Sequence, residues 1–383
     1  MLQRFRVITS RTNILFVEHK EVFGGGQVFL LNLATHLNKD EFQIHVLCSP
    51  NPRLTQQFGA HGIDIQELSL GRIQKSSNPF LIVANLWWRI RPTLKVLSAI
   101  KRFNIDLVCA NDVFSFIACV FATKLSGRKS VLIVHNTTYP GAYSTRWILR
   151  AADRIVAVST RVRDHVLSIL PSAKSKTSVI QNGIEVNVNG DSARKAKPSM
   201  RRKKKMLVGT VSRLSREKGL DVFLQSLPEV FDRIPNIKAV IAGEGPQETE
   251  LKDLSRELGL NGRLEFRGFV SDPLKIMSTF DIFVLSSRAE GLPLAVLEAM
   301  SLSKPVVATD VGDVKEVIGD DCGTVVASED PRALSNAIIG LLSNRKRREA
   351  MGKQGQRVVR ERFTLSSTVS QYEEAFLSLV GDA

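Results

Sequence analysis

Short apolar runs recur along this chain, and between them the apolar residues fall at helical spacing. Runs at 14–17, 44–48, 107–110, 131–135 and 155–158 have strand length. A strand buried on both faces reads as such a run rather than as an alternation. Segments 27–37, 92–103 and 114–125 carry apolar residues at intervals of three and four and predict helices. Near Ser192 the pattern breaks. SARKAKPSMRRKKK (192–205) is basic and nearly free of large apolar residues, and reads as a surface linker, 191–205. The alternation then restarts. Runs 206–211, 238–241, 264–266, 282–285, 306–309 and 323–326 predict strands; 220–231, 247–258, 294–301 and 332–342 predict helices; a last helical pattern covers 365–380. Strand–helix alternation of this kind specifies parallel sheets covered by helices. The expected fold class is α/β: two Rossmann-like, doubly wound domains, 1–190 and 206–364, facing a central cleft, followed by a terminal helix within 365–383. Ligands of such sheets bind beyond the carboxyl ends of the strands.

Charge narrows the partners. The chain has 383 residues with 53 Lys and Arg against 38 Asp and Glu, a formal net charge of +15. That excess draws anions: nucleotides, anionic lipid surfaces or nucleic acid. No aromatic residue interleaves with the basic run at 192–205, so it offers no stacking platform, and nucleic acid is not an expected partner. Cys48, Cys109, Cys119 and Cys322 show no CxxC spacing and read as buried thiols rather than a zinc site. The amino terminus lacks the uninterrupted apolar core of a secretory signal, and no run of about 18 apolar residues exists. The expected location is cytoplasmic, with peripheral contact at the inner membrane face left open.

Three places could carry chemistry. Gly24-Gly25-Gly26 follows the first strand and opens a helix, where backbone can approach an anion, although GGGQ is not the GxGxxG of a dinucleotide site. GTVSRLSREKG (209–219) sets Arg213 and Lys218 about a βα turn. They are either a solvated basic turn or a grip for a diphosphate, since Arg offers a planar fork and Lys a compact charge. SSRAEGLPLAVLEAMSLSKPVVATDVGD (286–313) sets Glu290 and Glu298 around a Gly-Leu-Pro turn, either as surface charge or as acceptors for sugar and ribose hydroxyls. No two aspartates form Asp-x-Asp. That favours charge neutralisation by side chains over a divalent metal, so no metal and no cofactor is expected.

GTVSRLSREKG, AGEGP (242–246), FRGFV (266–270) and the Glu290-x7-Glu298 block together resemble the retaining glycosyltransferases of family 4, whose fold is GT-B. Gln181-Asn182-Gly183-Ile184 is similar to the family's interdomain turn, with Gln181 in place of proline, and ERF (361–363) is similar to its tail. The resemblance implies a final helix crossing back to the first domain. It also implies transfer of a sugar from a nucleotide-diphosphate sugar to a glycan, lipid-linked or small-molecule acceptor. Attack comes from the face the phosphate leaves, with that phosphate helping to deprotonate the acceptor. Arg213 and Lys218 would hold the diphosphate, Glu298 the ribose and Glu290 the donor sugar. Gly291, Leu292, Pro293 and Leu294 would lie along the donor, and Gly243 beside it. Arg267, Phe269 and Val270 would read the base. Gly25 and Gly26 would close on the phosphate side, and His135 would stand beside the transferred sugar. The chain departs from the family at Asp313 and Ser303, where glycine is common, which leaves the donor's identity open.

The acceptor side is less legible. Segment 80–103 mixes Trp87, Trp88, Arg89, Arg91, Lys95, Lys101 and Arg102 with aliphatics. That suits either the headgroup level of an anionic membrane surface or an amphipathic helix packed on its sheet. Tyr139, Tyr143, Arg146 and Trp147 could line an acceptor path. The alternatives to a transferase are a nucleotide-sugar epimerase of the same architecture and a non-enzymatic basic binding module.

Overall fold

This structure, a computed structural model, describes residues 11–20, 24–63, 65–68, 79–137, 142–186 and 206–381, apart from the side chains of 79–89 and 142–143. The expected linker 191–205, Tyr139, and the side chains of Trp87, Trp88, Arg89 and Tyr143 lie outside the described residues. The chain divides into two compact units, residues 1–181 with 368–383, and residues 182–367.

In the first unit the elements run β1 (Thr12–Glu18), α1 (Gly25–His36), β2 (Phe42–Cys48), α2 (Pro52–Ala60), β3 (Ile65–Glu67), α3 (Pro79–Arg102), β4 (Leu107–Ala110), α4 (Val113–Ser126), β5 (Lys129–Val134), α5 (Ala142–Ala151), β6 (Arg154–Ala157), α6 (Thr160–Ile169) and β7 (Thr177–Val179). The strands form one parallel sheet in the order β3-β2-β1-β4-β5-β6-β7. The second unit runs β8 (Met206–Val211), α7 (Leu220–Arg233), β9 (Ile237–Ala242), α8 (Glu248–Glu257), β10 (Leu264–Gly268), α9 (Pro273–Met277), β11 (Ile282–Leu285), α10 (Leu294–Ser301), β12 (Val306–Thr309), α11 (Val314–Ile318), β13 (Gly323–Val326), α12 (Pro331–Ser343) and α13 (Arg345–Arg362). Its parallel sheet has the order β10-β9-β8-β11-β12-β13. A last helix, α14 (Leu365–Gly381), belongs to the first unit from Thr368 onward. Both sheets reverse direction of winding next to their first strand, at β1/β4 and at β8/β11. Such a switch point opens a crevice at the carboxyl edge.

Burial explains why the apolar runs are strands. β4, β11 and β12 are buried at every residue, since helices cover both faces of each sheet. Two expectations need correction. Strand β5 stops at Val134, so His135 stands in the loop and not in the strand. The helix expected to start at residue 92 starts at Pro79 and runs through Pro92. One lost backbone donor is outweighed there by the burial of Val96, Ala99 and Ile100 beyond it. The 18-residue helix α13 had no apolar pattern to announce it. It buries Met351, Gly352, Gly355 and Val359, and a Cβ on Gly352 would lie 2.0 Å from the Ser303 carbonyl oxygen.

Candidate active site

In the second unit the candidates Arg213, Lys218 and Glu290 sit in the loops after β8 and β11, the two strands at the switch point. These loops are bolted together. A Cβ on Gly219 would meet the Ser286 carbonyl oxygen at 2.1 Å, and its φ is +57°, so glycine is required there. Ser286 Oγ donates to the Lys218 carbonyl at 3.1 Å, and the Arg288 N–H to the Glu217 carbonyl at 2.8 Å. The Arg288 guanidinium donates to both oxygens of Asp221 at 2.7 Å, to Glu329 at 2.5 Å and to the Arg216 carbonyl at 2.9 Å. Its hydrogen bonds, acting against partial burial, hold the Asp221 carboxyl below the usual carboxylate range.

That frame places Lys218 Nζ 2.6 Å from Glu290 Oε1, where the side chains are 24% and 10% exposed. The Ser287 hydroxyl donates to the same oxygen at 2.7 Å, and Ser287 is itself held by Thr309 Oγ1 donating to its carbonyl at 2.6 Å. Arg213 lies on the same loop as Lys218 and is exposed, and its charge acts with that of Lys218 on the nearby Glu217 carboxylate. Loop 243–246 supports it from below. A Cβ on Gly243 would sit 1.9 Å from the Ser212 carbonyl and one on Gly245 2.3 Å from the Leu214 carbonyl, so this turn lies flush against the backbone either side of Arg213. The Gly243 N–H in turn donates to the Gly268 carbonyl at 2.7 Å.

The segment after Glu290 is fixed equally closely. Gly312, at φ +52°, packs with its Cα face against the Gly291 and Glu290 carbonyls, which an added Cβ would meet at 2.2 and 2.6 Å. Asp313, fully buried, donates its backbone N–H to Gly291 at 3.0 Å. Asn182 Nδ2 donates to the Leu292 carbonyl at 3.1 Å. Gly291, Leu292, Pro293 and Leu294 are all buried, with Pro293 capping α10. Glu298 stands in that helix without an ion-pair partner among the described residues, and burial pushes its carboxyl up to about 7. At the end of β10, Arg267 is exposed and bonded to Glu265 at 3.0 Å, Phe269 is exposed and Val270 half-buried. A separate open depression of about 560 Å³ between Asp310, Lys315, Asp320 and Arg347 contains none of the residues singled out from the sequence.

The first unit holds a buried polar network that the sequence did not announce. Glu18, at the end of β1, is 1% exposed. Its carboxylate accepts from Asn111 Nδ2 at 2.6 Å, from Gln27 Nε2 at 2.9 Å and from the Lys20 N–H at 2.8 Å. Asn111 Nδ2 also donates to the Gly26 carbonyl at 3.0 Å, so its oxygen must face the other way, where His135 Nε2 lies 2.9 Å off. His135 therefore carries its proton on Nε2 and presents a bare Nδ1. Burial first, then the nearby Lys20 charge, lowers its pKa to about 4, so the ring is neutral at ordinary pH. Phe29 packs edge-on against it at 5.0 Å. Glycines 24–26 open α1 as expected, and Asn111 ties their loop to His135. Glu18, His19 and Asp112 also bring three potential metal-ligand atoms within 4.8 Å of one another. Lys20 Nζ stands 3.4 Å from Asp112, a resident cation for that group. The polar residue directly after an apolar run, as in TNILFVE and LVCAN, was the available signal for Glu18 and Asn111.

Known families match most of the chain. Residues 191–358 match the family described as glycosyl transferases group 1, and residues 23–188 match glycosyltransferase family 4. The two matches together mark the chain as a glycosyltransferase. Among its relatives is the uncharacterized glycosyltransferase MJ1059 of Methanocaldococcus jannaschii, 28% identical over 62% of this chain and 63% of its own length. The chain thus spans a little under two thirds of that relative. A lipopolysaccharide core biosynthesis mannosyltransferase, LpcC of Rhizobium leguminosarum, is 29% identical over 62% of this chain and 68% of that one. Anabaena HepE, crystallised with UDP and glucose, superposes with a TM-score of 0.81 at 22% identity, over 96% of this chain and all of HepE. That likeness establishes the GT-B fold. Among the described residues no helix is long and apolar enough to cross a membrane.

Proposed function

We propose that this chain moves a sugar from a nucleoside-diphosphate sugar to a glycan or lipid-linked acceptor at a cytoplasmic membrane face, with retention and without a divalent metal. The observation that carries the reading is the Lys218–Glu290 pair at 2.6 Å on the loop that also carries the exposed Arg213, at the switch-point edge of the second sheet. Without donor, lysine and glutamate neutralise one another. An arriving diphosphate competes for the ammonium and frees a carboxylate oxygen for sugar hydroxyls. As the anomeric C–O bond breaks, negative charge grows on the leaving phosphate. Arg213 and Lys218 stabilise it more in the transition state than in the ground state. Glu298 accepts from ribose hydroxyls. The neutral His135 accepts at Nδ1 from a sugar hydroxyl. The mannosyltransferase name of LpcC and the UDP and glucose in HepE support a nucleotide-sugar donor and a surface-glycan acceptor. The family 4 likeness supports retention.

A panel of nucleotide sugars, scored by thermal stabilisation and then by turnover, tests this. Arg213→Ala and Lys218→Ala are each expected to lower turnover by about a hundredfold to a thousandfold while the chain stays folded. Rates matching the parent in both variants would remove the diphosphate role. Turnover in excess chelator is expected to persist, and loss restored only by Mn²⁺ would overturn the metal-free chemistry.

A further inference from the structure

Eight large apolar side chains are exposed among the described residues, and six of them lie on three neighbouring helices of the first unit: Ile90 and Leu94 on α3, Phe114, Phe121 and Leu125 on α4, and Trp147 on α5. Soluble surfaces scatter such residues; a cluster asks for a partner. On α4 the spacings of seven and four put Phe114, Phe121 and Leu125 on one stripe, with Leu125 74% and Phe121 57% exposed. Trp147, 48% exposed, brings its ring 5.6 Å from that of Phe121, so the stripe continues from α4 to α5.

Charge on the same helices is one-sided. The sequences of α3, α4 and α5 contain no Asp or Glu and eight Lys and Arg. The nearest acids stand at their margins: Asp112 is held by His19 and Lys20, Asp106 by Arg128, and Asp153 lies 3.7 Å from Lys124. We propose that the outer face of α3, α4 and α5 docks on an anionic lipid bilayer, with Leu94, Phe121, Leu125 and Trp147 entering the headgroup layer and the cations binding lipid phosphates. Aliphatic and aromatic tips among cations that outnumber the acids at their margins match that interface on both counts. A second copy of this chain would bring like charge against like. Aliphatic side chains such as Leu94 and Leu125 offer a nucleic acid nothing to stack on. The proposal deepens the membrane-face acceptor advanced above by naming the surface that meets the lipid.

Flotation of the full chain with phosphatidylcholine vesicles, with and without phosphatidylglycerol, tests it. The chain is expected to float with the anionic vesicles alone, less so as salt rises. Leu94→Ser/Phe121→Ser/Leu125→Ser should weaken that by on the order of a hundredfold or more. Each charge removed in Arg91→Gln/Lys124→Gln/Arg150→Gln should weaken it by roughly fivefold. Stabilisation by UDP-sugar reads the second unit and should survive in both variants, so failure of the docking face and failure of the transferase reading are separable. Parental flotation in the apolar triple variant overturns the proposal. So does absence of parental flotation at low salt, preference for RNA or DNA over vesicles, or a dimer in sedimentation that the triple variant dissolves.

Discussion

Glu298 shows how a single residue reports on the site. Its carboxyl, buried and without an ion-pair partner among the described residues, titrates at about 7 rather than 4.5. In the proposed role the ionised carboxylate accepts from ribose hydroxyls; a protonated carboxyl competes poorly for them. Donor affinity is therefore expected to fall as pH drops below about 7, approaching tenfold per unit. The free protein responds in the opposite sense. Between about 4.5 and 7 the folded state keeps a proton that the unfolded chain releases, so this group's contribution to stability falls as pH rises across that window. Donor-induced thermal shifts measured from about pH 6 to about pH 8 should show the step in the parent and lose it in Glu298→Gln. An unchanged step in that variant would assign the titration to another group. Glu290 and Glu298 were legible because one loop and one helix turn carry both. Glu18 and Asn111 were not: they lie 93 residues apart and meet only because β1 pairs with β4.

At the scale of elements, the strand–helix order could be read from apolar runs because both faces of each sheet are covered. The short edge strands β3 and β7 and the charged α13 escaped, having no run or stripe to mark them. The departures from the family pattern gain a physical meaning here. Ser303 sits at φ +57°, the left-handed region where glycine is the unstrained choice, which is why the family favours glycine. Gly312 matters more, because the loop carrying Glu290 rests on it. Gly312→Ala adds backbone strain of about 1–3 kcal/mol and also displaces that loop. Gly262, at φ +77° with nothing within 4 Å of an added Cβ, provides the control. Gly262→Ala should lose the strain energy alone and Gly312→Ala more than that, while only Gly312→Ala should lose donor affinity, by about tenfold or more. Equal donor affinity in the two would show that the Glu290 loop does not depend on this contact.

Across the whole molecule, the carboxyl-terminal helix makes the first unit depend on residues synthesised last. Tyr372 and Phe376 on α14 are fully buried. Phe376 lies edge-on to Phe16 at 6.2 Å and to Phe42 at 6.3 Å; Tyr372 packs on Phe29 at 5.7 Å, and Phe29 on His135. Glu373 accepts from the Asn38 N–H at 2.8 Å, and Thr368 Oγ1 donates to the Gln181 carbonyl at 2.9 Å. The ring under His135 is thus held by a helix more than 230 residues further on. Phe376→Ala should cost about 3–5 kcal/mol, and that loss belongs to the first unit, since the cavity opens between α14 and the β1–β2 layer. Hydrogen exchange should then show amides of β1, β2 and β4 losing protection while those of β8, β11 and β12 keep theirs, with unfolding no longer a single transition. On the proposed reading, a nucleotide sugar that stabilises the parent should still stabilise the variant, because Arg213 and Lys218 of the second unit are untouched. Equal loss of protection across both sheets would mean instead that the two units unfold as one, and that the terminal helix holds the entire chain rather than its first half.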